Sequence, residues 1–472
     1  MPASPSKSGT PHSRARAHDA RAALGRCAAG SRSERSSPYS ACSAPSTGSR
    51  SSPADLSSPD SLWPRSSSAR HRPRRVRVSL RLLDSAGRKK RIGERVDARA
   101  KALDRLAVEI HARPELAFEE RFAAGALSDY LASEGVSVQR GAGGLETAFV
   151  AEAGSGGPVI AILGEYDALP GIGHGCGHNL MGTAAVGAFL ALRDALDGVR
   201  GRVRVVGCPA EERGNGKVHL MNAGVFDDVD AAIMYHPGDR DEIDPLMLAM
   251  VNLDVELLGK AAHAAAEPHD GVNALDGLVL GWNAISALRL LVRSDSRIHG
   301  IITDGGKAAN IIPDHAAARL MVRSPDNTYL ADLRRRVLAC FEGAALATGA
   351  EMRPMWSDVC EVVKTNRPIA EAFAENARSL GRTMQPRRPS DTHGSTDMGN
   401  VTTAVPGIHP FLSITEGPVP GHSLAFTEAA RAPRALETMR VAAKVLAMTA
   451  FDVLSEPALL KRAKEAHADR AA

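Results

Sequence analysis

Six cysteines in 472 residues, at irregular spacings, are too few and too scattered for a disulfide framework. A reducing, cytoplasmic setting is therefore expected. No run approaches 18 uncharged apolar residues, so no segment is expected to span a membrane. The apolar h-region of a secretory signal is absent as well. Aromatic residues make up only 4% of a chain that is otherwise 44% hydrophobic and 24% charged. That length can bury one large core or two ordinary ones, which excludes a peptide-sized or wholly disordered protein.

The formal net charge of +4 conceals an uneven distribution. Residues 1–75 hold 13 Lys+Arg against 4 Asp+Glu, with 20 Ser and 9 Pro. The remaining residues are acidic, at −5. So little apolar surface cannot offset chain entropy, and residues 1–93 are expected to form a disordered Ser/Arg/Pro-rich extension. An Arg/Ser-rich transit peptide, a nucleic-acid-binding arm and upstream sequence from a mis-set start codon are the competing readings. An acidic body argues against backbone binding by the fold, so no nucleic-acid partner is expected.

Helical spacing begins near Glu94, with Ala102, Leu103, Leu106, Ala107 and Ile110 on one face, and resumes from Glu119 to Gly135. Short β-rich runs follow at 147–152, 158–163, 203–207 and 231–234. Between the second and third lies a helix over 180–196, with Asn179 as its N-cap. Strands alternating with helices predict an α/β domain with a central, largely parallel mixed sheet. After Pro245 the pattern changes. Val251, Leu253, Val255 and Leu257 alternate with polar residues, as in a half-solvated antiparallel strand. The order β-α-β-β-α-β that follows is the split-βαβ, ferredoxin-like arrangement. The expected division is a catalytic domain over 94–245 and 358–472, interrupted by an inserted lid and dimerisation domain over 246–357.

Three clusters fall at the C-terminal ends of predicted strands: Glu165 through Asn179, Pro209-Ala210-Glu211-Glu212, and Tyr235-His236-Pro237. Ligands bind beyond the strands' carboxyl ends in open α/β sheets, so these loops can converge. A cysteine, two histidines and two glutamates offer the donor set that suits zinc and its neighbours. Five such groups exceed the needs of one tetrahedral ion, which favours two ions sharing a bridging water. Glycines beside Cys176 let the backbone turn tightly around an ion. Each cluster alone has a plain alternative: a buried structural cysteine beside a capping histidine, a solvated acidic turn, a core histidine. A thiolate nucleophile built from Cys176 and His178 is a further reading.

The stretch Gly164-Glu165-Tyr166-Asp167-Ala168-Leu169-Pro170, the run from His174 to Asn179, and the Pro209–Glu212 and His236-Pro237 pairs resemble, in order and spacing, the M-twenty family of zinc peptidases and amidohydrolases. Residues 259–264, 305–313 and 394–400 carry further matching motifs. The last of these, with residues 405–410, most resembles the aminoacylase-1-like dipeptidase branch. Coverage runs from about residue 95 to 465. The resemblance implies a metallopeptidase that cuts amide bonds in small substrates with a free carboxylate. Dipeptides with a basic C-terminal residue come first, and N-acyl amino acids or aminobenzoyl-glutamate are the alternative.

Carried onto this chain, the resemblance makes Cys176 the bridging ligand and adds His178, Glu212, His236 and His422 as further ligands of two divalent ions. Zinc is expected, with manganese or cobalt as alternatives. Glu211 would be the general base, moving the water's proton to the leaving amine. Glu165 falls where relatives carry an Asp that orients a ligating imidazole. His263 matches a histidine that stabilises the oxyanion, usually from the partner subunit of a homodimer. Asn310 and Arg323 match positions that hold the substrate carboxylate, for which a planar guanidinium is suited. His174, His219, His269 and His409 have no assigned role.

Overall fold

Alternating and continuous apolar runs build two separate sheets. The computed structural model describes residues 85–388 and 394–469, so most of the expected basic extension lies outside the described residues. In chain order the strands are β1 (Val138–Arg140), β2 (Phe149–Ser155), β3 (Val159–Glu165), β4 (Gly201–Cys208), β5 (Ala231–Ile233) and β6 (His236–Gly238). They continue with β7 (Ala249–Leu258), β8 (Arg297–Asp304), β9 (His315–Ser324), β10 (Glu351–Trp356), β11 (Gly407–Ile408) and β12 (Phe411–Ser413).

The first sheet has the order β1-β2-β4-β3-β5-β11. The pairs β4/β3, β3/β5 and β5/β11 are parallel, while β1 and β2 join antiparallel at one edge. This is the expected mixed, largely parallel sheet flanked by helices. Every residue of β3 is buried, as in a strand covered on both faces. Helix His178–Arg193 packs on β3 and against helix Pro433–Ser455, and 15 of its 16 residues are buried. The approach is backbone to backbone. A Cβ on Gly164 would stand 2.8 Å from the Cα of Gly182. Glycine there lets the end of β3 and the first turn of the helix present their side chains to one point.

Two local expectations need correction. Order was expected from near Glu94, yet helix Ser85–Ala98 starts earlier and buries Ile92 and Val96. Its many Lys and Arg residues mask an apolar stripe. Asn179 does not cap its helix. Gly177, at φ 76°, holds the cap position, and the Asn179 amide donates to the carbonyls of Ala107 and Ala430.

Residues 249–356 form the second sheet, fully antiparallel, in the order β10-β7-β9-β8. Helices Ala274–Leu288 and Asn327–Thr348 lie between its strands in sequence and share its separate core. Strand β7 buries every second residue, as the alternation predicts. The stretch 274–291 is long and apolar enough to cross a membrane by length and composition alone. The reading of apolar runs passed over it because Asp276 and Arg289 interrupt it. In the fold it lays Ala274, Gly277, Leu278, Gly281 and Ile285 on the sheet and exposes Val279 and Leu280.

Candidate functional site

Loops from the C-terminal ends of β3, β4, β5 and β11 meet at one edge of the first sheet, the crevice where such sheets bind ligands. Glu165 ends β3, His178 opens the following helix, and Cys176 lies in the turn between them. Glu211 and Glu212 follow β4, and His236 begins β6. His422 comes from the loop before helix Leu424–Ala429, where its N–H donates to the Gly175 carbonyl at 2.9 Å. A Cβ on Gly175 would lie 2.9 Å from the Ile172 side chain and 3.1 Å from that of Leu169, so the bare backbone lets this turn pack closely.

Three sets of potential ligand atoms lie within 4.8 Å of one another: Cys176, His178 and His236; Cys176, Glu212 and His422; Glu165, His178 and Glu211. Cys176 Sγ is 3.0 Å from His422 Nε2, which is 3.6 Å from Glu212 Oε1. Atoms bound to one ion at about 2.0–2.3 Å are spaced about 3–4 Å apart, so these contacts match a shared ion. Buried Nε2 of His178 and Oε1 of Glu212 make no hydrogen bond. Burial of such atoms without a hydrogen bond is costly, and a cation would satisfy both.

The electrostatics point the same way. Burial, then Glu165 and Glu212, push the Glu211 carboxyl well above its ordinary range. Burial likewise raises Glu212 and the Cys176 thiol. Burial alone would lower His178, but Asp167 and Glu165 hold it well above its ordinary value. A concentration of half-buried and buried acids around one thiol is stabilised by added positive charge.

Orientation of His178 corrects the sequence reading. Nδ1 of His178 donates to Asp167 Oδ1 at 2.9 Å, so Asp167, and not Glu165, fixes the ring. Glu165 lies on the other side, with Oε2 3.3 Å from His178 Nε2. Its Oε1 accepts from the buried ammonium of Lys217, which also donates to Asp397 Oδ1 at 2.6 Å. Burial opposes the charge on Glu165, but Lys217 and then His178 bring its carboxyl down to about 2. His236 Nδ1 donates to the Pro237 carbonyl at 2.6 Å, which fixes the orientation of that ring.

Residues 161–451 match Peptidase family M20/M25/M40. The chain belongs to this family. It is 40% identical over 392 residues to an Xaa-Arg dipeptidase of Mus musculus, covering 79% of this chain and 90% of that protein. It is 36% identical over 311 residues to one of the p-aminobenzoyl-glutamate hydrolase subunits of Escherichia coli, covering 61% of this chain and 65% of the other. A dinuclear metal-binding peptidase of the family from Bacillus subtilis shares the fold, with a TM-score of 0.60 at 23% identity over 76% of this chain and 99% of its own. An aminobenzoyl-glutamate utilization protein from Klebsiella pneumoniae does so with a TM-score of 0.63 at 19% identity, over 77% and 98%. Membership makes the chain a hydrolase of amide bonds.

Three residues singled out from the family motifs belong to the stretch 249–356 that builds the second sheet. His263 is exposed, and its Nδ1 accepts the N–H groups of Ala265 and Ala266. Asn310 lies alongside, its carbonyl accepting from Ala264 N–H at 3.1 Å. Arg323, on β9, is half-buried and has no carboxylate partner among the described residues. Its guanidinium rests on Met321 Sδ, and burial lowers it from its ordinary value.

Sequence reasoning missed four buried groups: Asp167, Lys217, Asp397 and His409. His409 is fully buried, its ring centroid 5.6 Å from that of His236, and neither ring nitrogen has a hydrogen-bond partner. Burial and then the His236 charge keep it neutral. Asp167 lies inside the Gly164–Pro170 motif and could have been found there. Asp397 and His409 likewise lie inside the 394–400 and 405–410 stretches, and only Lys217 had no sequence signal.

Proposed function

We propose that this chain is a dipeptidase that works with two divalent metal ions, acting on short peptides whose C-terminal residue is basic. The carrying observation is that two three-residue ligand sets share Cys176. On this reading one ion takes Cys176, His178 and His236, and the other takes Cys176, Glu212 and His422. When bound, two such ions supply a water of lowered pKa and a Lewis acid toward the scissile carbonyl. Zinc is the proposed metal, because a shared thiolate favours a borderline-soft ion. A ligating thiol needs reducing surroundings, so the cytoplasm belongs to the proposal.

Glu211 acts as the base. Its carboxylate lies with Glu165 and His178 in one of the ligand sets, where it can accept the water's proton and deliver it to the leaving amine. Arg323, half-buried and without an acidic partner, is suited to the substrate's carboxylate. His263 belongs to none of the ligand sets of its own chain and is exposed, which supports the reading that it serves the site of a second subunit. The homodimer would use the inserted domain, where edge strand β8 exposes Ile301 and Ile302. The name of the E. coli relative supports a second reading, hydrolysis of aminobenzoyl-glutamate or N-acyl amino acids by the same chemistry.

Chelation tests the mechanism. EDTA is expected to abolish amine release from Xaa-Arg and Xaa-Lys dipeptides, and zinc or manganese to restore it. Full activity in EDTA would instead support a Cys176 nucleophile.

A further inference from the structure

The loop that carries Glu211 and Glu212 hangs on three buried carboxylates. Ala210 N–H donates to Glu120 Oε1 at 2.8 Å, Glu212 N–H to Asp167 Oδ2 at 2.9 Å, and Lys217 N–H to Asp397 Oδ2 at 2.8 Å. Asp167 also orients His178, and Asp397 also pairs with the Lys217 ammonium. Glu120 has no such second task. It is fully buried just ahead of helix Arg121–Ser133 and forms no ion pair among the described residues. Its Oε1 also accepts from Phe118 N–H at 3.0 Å, and its Oε2 takes the Thr147 hydroxyl at 2.9 Å.

The two backbone groups that Glu120 captures are unusual. Among the described residues, four non-glycines have left-handed backbone: Phe118, Ala210, Asn215 and His422. Phe118 (φ 65°) and Ala210 (φ 60°) are the pair bonded to Glu120. Such strain persists only where surrounding structure fixes it, and it gathers at functional sites. The reason for the turn at Ala210 is geometric. Successive residues of an extended strand point to opposite faces. Here Glu211 joins the set with Glu165 and His178, and Glu212 joins the set with Cys176 and His422. A left-handed residue just before them redirects the chain, and both carboxylates reach the cluster. Phe118 closes the far side, its ring so near Gly214 that a Cβ there would lie 2.3 Å away.

We propose that Glu120 is a positioning residue, whose Oε1 locks the left-handed turn at Ala210 and so aims the Glu211 carboxylate. This rests on the hydrolase reading above. Both backbone donors go to a single oxygen, so a glutamine amide can replace the carboxyl. The Thr147 hydroxyl can rotate to accept from the new amide N–H.

The test compares Glu120→Gln, Glu120→Ala and the double variant Glu120→Ala/Ala210→Gly as full chains loaded with zinc. Dipeptide kcat and KM are read beside circular dichroism for folding. Glu120→Ala is expected to lower kcat by about 10²-fold with little change in KM, as a misplaced catalytic group does. Glu120→Gln is expected to keep kcat near the parent value. The double variant is expected to recover most of it, because glycine adopts this backbone without help. Parent-like kcat in Glu120→Ala would overturn the proposal. So would a Gln variant as impaired as Ala, which would put the carboxyl in proton transfer, or a folded double variant that recovers nothing. No turnover by the parent chain would overturn the hydrolase reading, and this inference with it.

Discussion

Asp167 joins the two halves of the ligand cluster: one carboxylate oxygen accepts from His178 Nδ1 and the other from Glu212 N–H, each at 2.9 Å. A single side chain thus sets the tautomer of an imidazole and the backbone path of a carboxylate from another strand end. Asp167→Asn offers one oxygen where two are needed. Zinc affinity is expected to fall about 10–100-fold. A competition titration against a chromophoric chelator reads the change, and unaltered affinity would mean that Asp167 does not orient the ligand.

Cys176 belongs to two ligand sets and His422 to one. Cys176→Ala is therefore expected to lose both ions on dialysis, whereas His422→Ala retains one. Metal content by mass spectrometry distinguishes them, and a Cys176→Ala protein that keeps two ions would remove the sulfur from the site.

On the proposed homodimer His263 serves the partner's site, so its contribution should be separable by subunit. Glu211→Gln alone is expected to cost about 10²–10⁴ in rate, and His263→Ala alone to be impaired. Mixing the two variants under conditions of subunit exchange should restore activity that neither has, since mixed dimers contain one site with both residues. Absence of complementation, with mixed dimers verified by native mass spectrometry, would place His263 outside the reaction.

Much of this arrangement was legible in the sequence because donor residues recur at strand ends with glycines and prolines around them. Cys176, His178, Glu211, Glu212, His236 and His422 were reached that way with the help of the family motifs, and all converge. Alternation in 251–257 announced the second sheet. Glu120 and Lys217 were not legible. A charged residue alone in sequence looks like solvated surface, and only the fold reveals that each is buried. Glu165 was misjudged for a related reason. Two acids two residues apart look equivalent until the direction of each side chain is known.

Glu120 also gives the protein a defined pH response. Burial raises its carboxyl to about 7, against 4.5 in the unfolded chain. A raised carboxyl contributes stability that is whole below about 4.5 and is lost as pH rises through about 7. Glu120→Gln removes that term. In urea denaturation of the metal-free proteins, the variant should gain on the parent between pH 4.5 and 7 and then hold a constant difference. A difference independent of pH across that window would mean that the carboxyl is not raised.

The central claim is a two-metal centre serving a dipeptidase. Mass spectrometry of metal per protomer, run beside amine release from a panel of dipeptides, N-acyl amino acids and aminobenzoyl-glutamate, tests it most directly. The account predicts two ions and preferential cleavage of dipeptides ending in Arg or Lys. A protein that holds no ion, takes none up on reconstitution with zinc or manganese, and still cleaves would contradict it.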